Sequence, residues 1–265
     1  MNSSSSISLL PEILCGDCLD LMPGIPSGSV DLILCDLPYQ VLNSANSAAG
    51  WDRRIPLEPL WDQYRRILKE NGAAILFSQG MFTVELMRSN PGMWRYNLVW
   101  KKGNRPTGFL NARRMPLRIH EDICVFYRRL PAYHPQMQKG PALHRRKTRK
   151  VNNRCYGAYT PAPWKDSDMK FPLSIIDIPK EHRNGNYFHP TQKPVALLEY
   201  LIRTYSNEGD TVLDNAMGSG STGVAAVRCR RRFIGIEIDP AFFATARDRI
   251  HKEIDEISEQ SIESI

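Results

Sequence analysis

Short apolar runs recur along the chain, separated by stretches in which the apolar residues are spaced for one face of a helix. Residues 13–15, 30–34, 73–77, 97–100, 123–127, 211–213 and 233–238 predict short buried strands. In LEPLWDQYRRILKENG, residues 57–72, Leu60, Trp61, Tyr64, Ile67 and Leu68 share one helical face, and Asn71-Gly72 predicts the stop. KPVALLEYLIRTYSNEGD, residues 193–210, opens with a proline suited to a first turn and aligns Val195, Leu198, Leu201, Ile202 and Tyr205. Buried strands alternating with helices predict an α/β fold with a mostly parallel sheet and helices on both faces.

Residues 130–188 break this rhythm, being rich in Pro, Tyr, Arg, Lys and Asn without periodicity. Tyr133, Tyr156, Tyr159, Trp164 and Phe171 are more aromatics than a solvated linker carries, so the stretch predicts an insertion on the sheet domain. The expected organisation is one half of the α/β domain at 1–129, the insertion at 130–188, the second half at 189–255 and an acidic tail at 256–265.

With 265 residues and 42% hydrophobic positions, the chain can bury a full core. No stretch approaches the ~18 apolar residues of a membrane span, and MNSSSSISLLPE lacks the marks of a secretory signal, so no membrane partner and a cytoplasmic setting are expected. The cysteines, at 15, 18, 35, 124, 155 and 229, are too scattered for a disulfide framework. Cys15 and Cys18 form a C-x-x-C, but with no second pair and no nearby His cluster no metal is expected. The formal charge of +7 favours a polyanionic partner. It is concentrated at 101–150, in KKGNR, NARRMPLR, YRR and HRRKTRK, while KEIDEISEQSIESI at the C-terminus predicts a helix end and a frayed tail.

Chemistry concentrates in TVLDNAMGSGSTGVAAVRCRRRFIGIEID, residues 211–239. A strand ends in Asp214, a turn runs through Gly218, Ser219 and Gly220, a helix carries Val224, Ala225 and Val227, and a second strand ends at Glu237. This is the unit of a nucleotide-binding crevice, in which missing side chains admit the ligand to the backbone and the acid meets ribose hydroxyls. A phosphate-binding P-loop is disfavoured because no lysine precedes Ser221-Thr222. A second candidate is Asp36-Leu37-Pro38-Tyr39, which follows the apolar run 30–34 and falls at the carboxyl end of its strand.

LDNAMGSGSTG resembles the S-adenosylmethionine-binding motif of class I methyltransferases, and Asp36-Leu37-Pro38-Tyr39 resembles the Asp-Pro-Pro-Tyr motif of DNA amino-methyltransferases. The order, with the catalytic motif first, a basic variable region next, then HPTQKPVALLEYLI and the cofactor loop last, is similar to the β group of N6-adenine and N4-cytosine enzymes. The resemblance implies a Rossmann-like class I fold with an inserted target-recognition region, S-adenosylmethionine as cofactor and double-stranded DNA as partner. It also implies a homodimer and leaves a partner nuclease, as in restriction-modification, open.

By the same resemblance Asp36 accepts one hydrogen of the target amine and the Leu37 carbonyl, directed by Pro38, accepts the other. Tyr39 offers a face on which an extruded base stacks. Asp17 and Cys18 contact the cofactor's adenine, although Asp17 also suits a helix cap. His189, Thr191, Gln192 and Lys193 lie near its methionine end, with Lys193 neutralising a carboxylate; Thr191 or Gln192 equally suits a cap on the following helix. Ser221 and Thr222 meet that carboxylate at a helix N-terminus, and Asp214, Ala216, Gly218, Gly220 and Glu237 complete the cofactor set. Phe77-Ser78-Gln79 lines the target pocket or is a turn. The basic segments 101–150 lie against phosphates, with the target read after residue 130.

The pattern is departed from at two places: Leu37 replaces the first proline, and Asn215-Ala216 replaces a frequent Pro-Phe. N4-cytosine members usually begin the catalytic motif with serine, so Asp36 favours adenine N6 over cytosine N4. Two other classes compete. A nicotinamide-dependent oxidoreductase leaves Asp36-Leu37-Pro38-Tyr39 and the basic insertion unexplained. A non-catalytic DNA-binding protein is opposed by intact Asp36, Tyr39, Gly218, Gly220 and Glu237. RNA offers the same amine and stays open as a substrate.

Overall fold

The computed structural model describes residues 11–39, 53–140, 151–155, 157–159, 168–180 and 192–263. The strands are β1 (Glu12–Cys15), β2 (Val30–Cys35), β3 (Leu68–Ser78), β4 (Trp94–Lys101), β5 (His120–Tyr127), β6 (Gln138–Lys139), β7 (Val151–Asn153), β8 (Gly157–Tyr159), β9 (Met169–Lys170), β10 (Ile175–Asp177), β11 (Thr211–Asp214) and β12 (Arg232–Glu237). The helices are α1 (Cys18–Leu21), α2 (Leu57–Ile67), α3 (Met81–Ser89), α4 (Val195–Tyr205), α5 (Ser221–Arg228) and α6 (Pro240–Glu263). Six of the seven expected apolar runs lie wholly in strands, and the seventh, 233–238, overruns β12 by one residue, Ile238.

Among the described residues, one sheet has the order β1-β12-β11-β2-β3-β5-β4-β10. Neighbours from β1 to β3 pair in parallel, β5 is antiparallel to both β3 and β4, and β10 is parallel to β4. The sheet is buried on both faces, which is why its central strands are apolar without a polar alternate. Leu32 and Leu34 of β2 point to a core shared with α4, α5 and α6. Ile33 and Cys35 point to the opposite core, shared with α1, α2 and α3. Residues Pro135–Leu173 form a second compact unit, in which β6 pairs antiparallel with β9 and β7 with β8.

Two local expectations are corrected. Asn71-Gly72 does not stop α2: the helix ends at Ile67, because buried Leu68 is already extended, with ψ 134°, and opens β3. Val30 pairs with Leu68 and Leu32 with Ala73, so residues 69–72 are extra length in β3, a bulge. Gly72 serves a close approach there, since a Cβ would stand 3.0 Å from the Asp31 carbonyl oxygen. At the other end, α6 continues through the acidic segment to Glu263 where a frayed tail was expected.

Parallel β12, β11, β2 and β3, together with β1, end on one edge of the sheet. Asp17, Asp36, Gln79, Asp214 and Glu237 therefore all stand at that edge, which in an open α/β sheet is the ligand crevice.

Candidate active site

A cavity of about 680 Å³ opens along that edge, within the size range of small-molecule sites. From β1 it is lined by Asp17 and Cys18, from β2 by Asp36, Leu37, Pro38 and Tyr39, and from β3 by Gln79. The approach to α4 contributes Gln192 and Lys193, and the glycine turn with α5 contributes Ala216, Gly218, Ser221 and Thr222; Glu237 closes it from β12. Asp214 and Gly220 stand behind this lining. His189 and Thr191 lie outside the described residues.

On the β2 side, the buried apolar run at residues 32–35 delivers Asp36 to the rim as a partly exposed carboxylate. Leu37 is 3% exposed and packs in the core with Cys35 and Phe82, so burial of this side chain anchors the turn at the position where the resembled motif has a proline. The Tyr39 hydroxyl donates to Asp36 Oδ1 at 2.5 Å, and its ring lies 4.9 Å from that of Phe82. Burial and the Asp36 charge push the Tyr39 phenol well up, so it stays a protonated donor.

Lys193, expected near the methionine end of the cofactor, lines the cavity and is already paired with a carboxylate of the chain itself. Its ammonium donates to Asp36 Oδ2, lies 3.3 Å from Glu121 Oε2 and sits 5.0 Å over the Phe77 ring. Glu121, on β5, pairs through Oε1 with Lys102 at 2.5 Å. Lys102 is corrected: it belongs to a run expected on phosphates, yet it is 2% exposed and lies over the Trp100 ring. Lys102, Glu121, Lys193 and Asp36 thus form a line of alternating charges.

Burial works to raise the Glu121 carboxyl, but the Lys193 and Lys102 ammoniums overcome it and hold it at about 2. Burial raises Asp36 too; Lys193 and the Tyr39 hydroxyl oppose that rise, and the Glu121 charge adds to it. Lys180, another lining residue, is pushed down by burial with Lys102 adding to the effect. Sequence reasoning missed Glu121 and Lys180. For Glu121 a signal existed, an acid pair, Glu121-Asp122, leading directly into the apolar run 123–127.

On the β11 side, the turn delivers backbone amides to an acid. Gly218 N–H donates to Glu237 Oε2 at 2.7 Å, and Asp239 N–H donates to Oε1 at 2.9 Å. Burial raises Glu237, against these two amide bonds. Asp214 accepts from Ala216 N–H at 3.2 Å and is pushed up to about 6 by burial, with the Thr222 hydroxyl opposing. Asn215 substitutes for proline by cross-linking: its Oδ1 accepts from the Tyr64 hydroxyl at 2.5 Å and its Nδ2 faces Cys18 Sγ at 3.5 Å.

Asp17 is the N-cap of α1, its Oδ1 accepting from Leu19 N–H at 2.8 Å. Gln192 does not cap α4, whose N-cap is Pro194 without a side-chain bond; it accepts from Ser219 Oγ at 3.3 Å instead. Of Phe77-Ser78-Gln79, only Gln79 lines the cavity, while Ser78 is fully buried and accepts from the Thr83 hydroxyl at 3.0 Å. The carboxylates of Asp17 and Glu237, an open glycine turn and the hydroxyls of Ser221 and Thr222 at the head of α5 form a donor and acceptor set that fits a nucleoside carrying an amino-acid tail.

The DNA methylase family model matches residues 30–248. DNA adenine methyltransferase YhdJ of Escherichia coli (strain K12) is 28% identical over 251 residues, covering 90% of this chain and 82% of that protein. Among solved structures, the M1.HpyAVI–SAM complex superposes with a TM-score of 0.62 at 23% identity, covering 91% of this chain and 99% of that one. The cytosine-N4-specific PvuII DNA methyltransferase superposes with a TM-score of 0.64 at 17% identity, covering 92% and 91%. These likenesses show the class I methyltransferase fold. With the family match running from the first residue of β2 into α6, the chain belongs to the N6/N4-type DNA methylase family.

Proposed function

We propose that the protein transfers a methyl group from S-adenosylmethionine to the exocyclic N6 of an adenine extruded from duplex DNA. One observation carries the reading: the Asp36-Leu37-Pro38-Tyr39 turn and the glycine turn with Glu237 open into the same cavity. Bound S-adenosylmethionine supplies an electrophilic methyl on a positively charged sulfur. Glu237 and Asp17 bind ribose and adenine polar groups, and Ser221 and Thr222 bind the carboxylate of the methionine end.

An exocyclic amine is a poor nucleophile because its lone pair is delocalised into the ring. Asp36 accepts one amine hydrogen and the Leu37 carbonyl the other, which favours a pyramidal nitrogen and aims its lone pair. Lys193 and the Tyr39 hydroxyl hold both Asp36 oxygens in place. The Tyr39 ring stacks the extruded base, about 1–3 kcal/mol set against the few kcal/mol that extrusion costs. Adenine is favoured by Asp36, where N4-cytosine members usually carry serine, and by the name of the 28%-identical E. coli relative. Residues 130–188 read the target sequence.

The test is incubation with deuterated-methyl S-adenosylmethionine and unmethylated duplex DNA, followed by digestion and mass spectrometry of the nucleosides. Label on N6-methyladenine that Asp36→Ala abolishes is the expected result. Label on N4-methylcytosine overturns the base, and absence of label from all DNA overturns the reading.

A further inference from the structure

The segment between β4 and β5 carries a surface that the acceptor and cofactor machinery does not use. Thr107 and Arg118 close it through paired backbone hydrogen bonds of 2.7 and 3.0 Å, so residues 108–117 form a loop. Gly108, at φ 85°, turns the chain into a 3-10 turn at Phe109–Asn111. At this tip Phe109 is 76% and Leu110 86% exposed, and Met115 beyond them is 55% exposed. Adjacent large apolar side chains held this far into solvent mark an interaction site.

The surrounding charge selects the partner. Residues 103–119 contain four arginines, Arg105, Arg113, Arg114 and Arg118, and no acid. Arginines around an apolar tip suit a ligand whose anionic backbone flanks an apolar interior, which describes duplex DNA and its base stack. The tip also borders the cavity. Thr107 lines it, and the Arg118 guanidinium donates to Gln79 Oε1, which lines it as well. Phe109 follows Thr107 by two residues, a backbone span of at most about 7 Å.

We propose that Phe109 and Leu110 form a wedge that enters the base stack of duplex DNA beside the target and fills the space left by the extruded base, with Arg113 and Arg114 on the flanking phosphates. The proposal rests on the reading of the protein as a methyltransferase acting on an extruded base. The wedge is needed most where the target is paired and stacked, and least where pairing is already lost.

The test compares wild type with Phe109→Ala/Leu110→Ala, two exposed positions whose truncation leaves the core intact. The substrates are two duplexes carrying the context in which labelled bases are found by sequencing, one with the target paired and one with it opposite a mismatched base. The expected result is a loss of roughly tenfold or more in rate on the paired duplex and a rate within about threefold of wild type on the mismatched one. Equal losses on both, or no loss on either, overturn the wedge. Arg113→Gln/Arg114→Gln, by contrast, weakens binding to both duplexes alike and lowers the salt dependence by about two phosphate contacts. If the double alanine variant keeps full duplex activity but loses self-association or vesicle binding shown by wild type, the tip belongs to a second copy or a lipid surface and the wedge is overturned. A wild type that labels no DNA overturns the methyltransferase reading itself, whereas an active wild type with an equally active variant overturns only the wedge.

Discussion

Lys193 and Asp36, 157 positions apart in the chain, meet as a hydrogen-bonded ion pair at the carboxyl edge of the sheet. The Lys193 side chain is 8% exposed and that of Asp36 23%. The pair joins the end of β2 to the approach to α4, so the residue expected near the cofactor bears directly on the charge and orientation of the residue expected to meet the target amine. Because Tyr39 holds the other Asp36 oxygen, the carboxylate is fixed from two sides before any substrate arrives.

Lys193→Met therefore moves the acid limb of kcat to higher pH. Burial already raises Asp36, Lys193 opposes that rise, and accepting the amine hydrogen needs Asp36 ionised. Removing the ammonium pushes the carboxyl further up, since the opposing charge at contact distance is lost. A pH profile of kcat at saturating cofactor measures this, and a limb that stays at its wild-type position shows that Lys193 does not control Asp36.

Glu121→Gln moves the same limb the other way, since the Glu121 charge raises Asp36. It also lowers stability. Glu121 faces Lys102 at 2.5 Å and Lys193 at 3.3 Å, and breaking a buried ion pair costs roughly 3–5 kcal/mol. The folded carboxyl sits at about 2, below its ordinary 4.5, so its contribution is complete above 4.5 and is lost as pH falls toward 2. Urea unfolding across that window should show the gap between wild type and variant closing with acid. A gap that stays constant assigns the loss to packing.

Asp214→Asn tests the opposite sign. Asp214 is 3% exposed and burial raises its carboxyl from 3.8 to about 6. The folded chain thus binds this proton more tightly than the unfolded one, and stability falls as pH rises through that interval, by about 3 kcal/mol. The asparagine variant is blind to this titration. Its stability relative to wild type should improve as the unfolding measurement is moved from below 3.8 to above 6, and a difference independent of pH would sink the assignment.

What was legible in the sequence is what local pattern determines. The apolar run of β2, the 3.6-residue face of α2 and the strand, glycine turn, helix and strand ending at Glu237 all follow from residues near one another in the chain. Register does not. Asn71-Gly72 carries a turn signal, and only the pairing of β3 with β2 makes it part of a bulge against Asp31. Charge partners do not either: Lys102 reads as one more cation in a basic run, and its burial against Glu121 and Trp100 depends on how β4 and β5 pair. Asn215 reads as a lost proline, and its bond to Tyr64 spans 151 positions.

Gly220 links the cofactor turn to the C-terminal helix, and its replacement by alanine should disturb both. Its φ of 79° is left-handed, which costs a residue with a Cβ roughly 1–2 kcal/mol. The added Cβ would also stand 2.8 Å from the Ala246 side chain and 2.9 Å from the Ala246 backbone, so α6 must shift away. Such overpacking costs about 1–3 kcal/mol more. Gly220→Ala should therefore lower the urea midpoint and weaken S-adenosylmethionine binding in a titration, because moving the turn displaces the Gly218 amide from Glu237. Adding Ala246→Gly removes the overlap of the two methyl groups but neither the crowding against the α6 backbone nor the φ strain, so it should restore stability only in part. Wild-type stability in Gly220→Ala, or full rescue by Ala246→Gly, would show that the turn does not need glycine at this position.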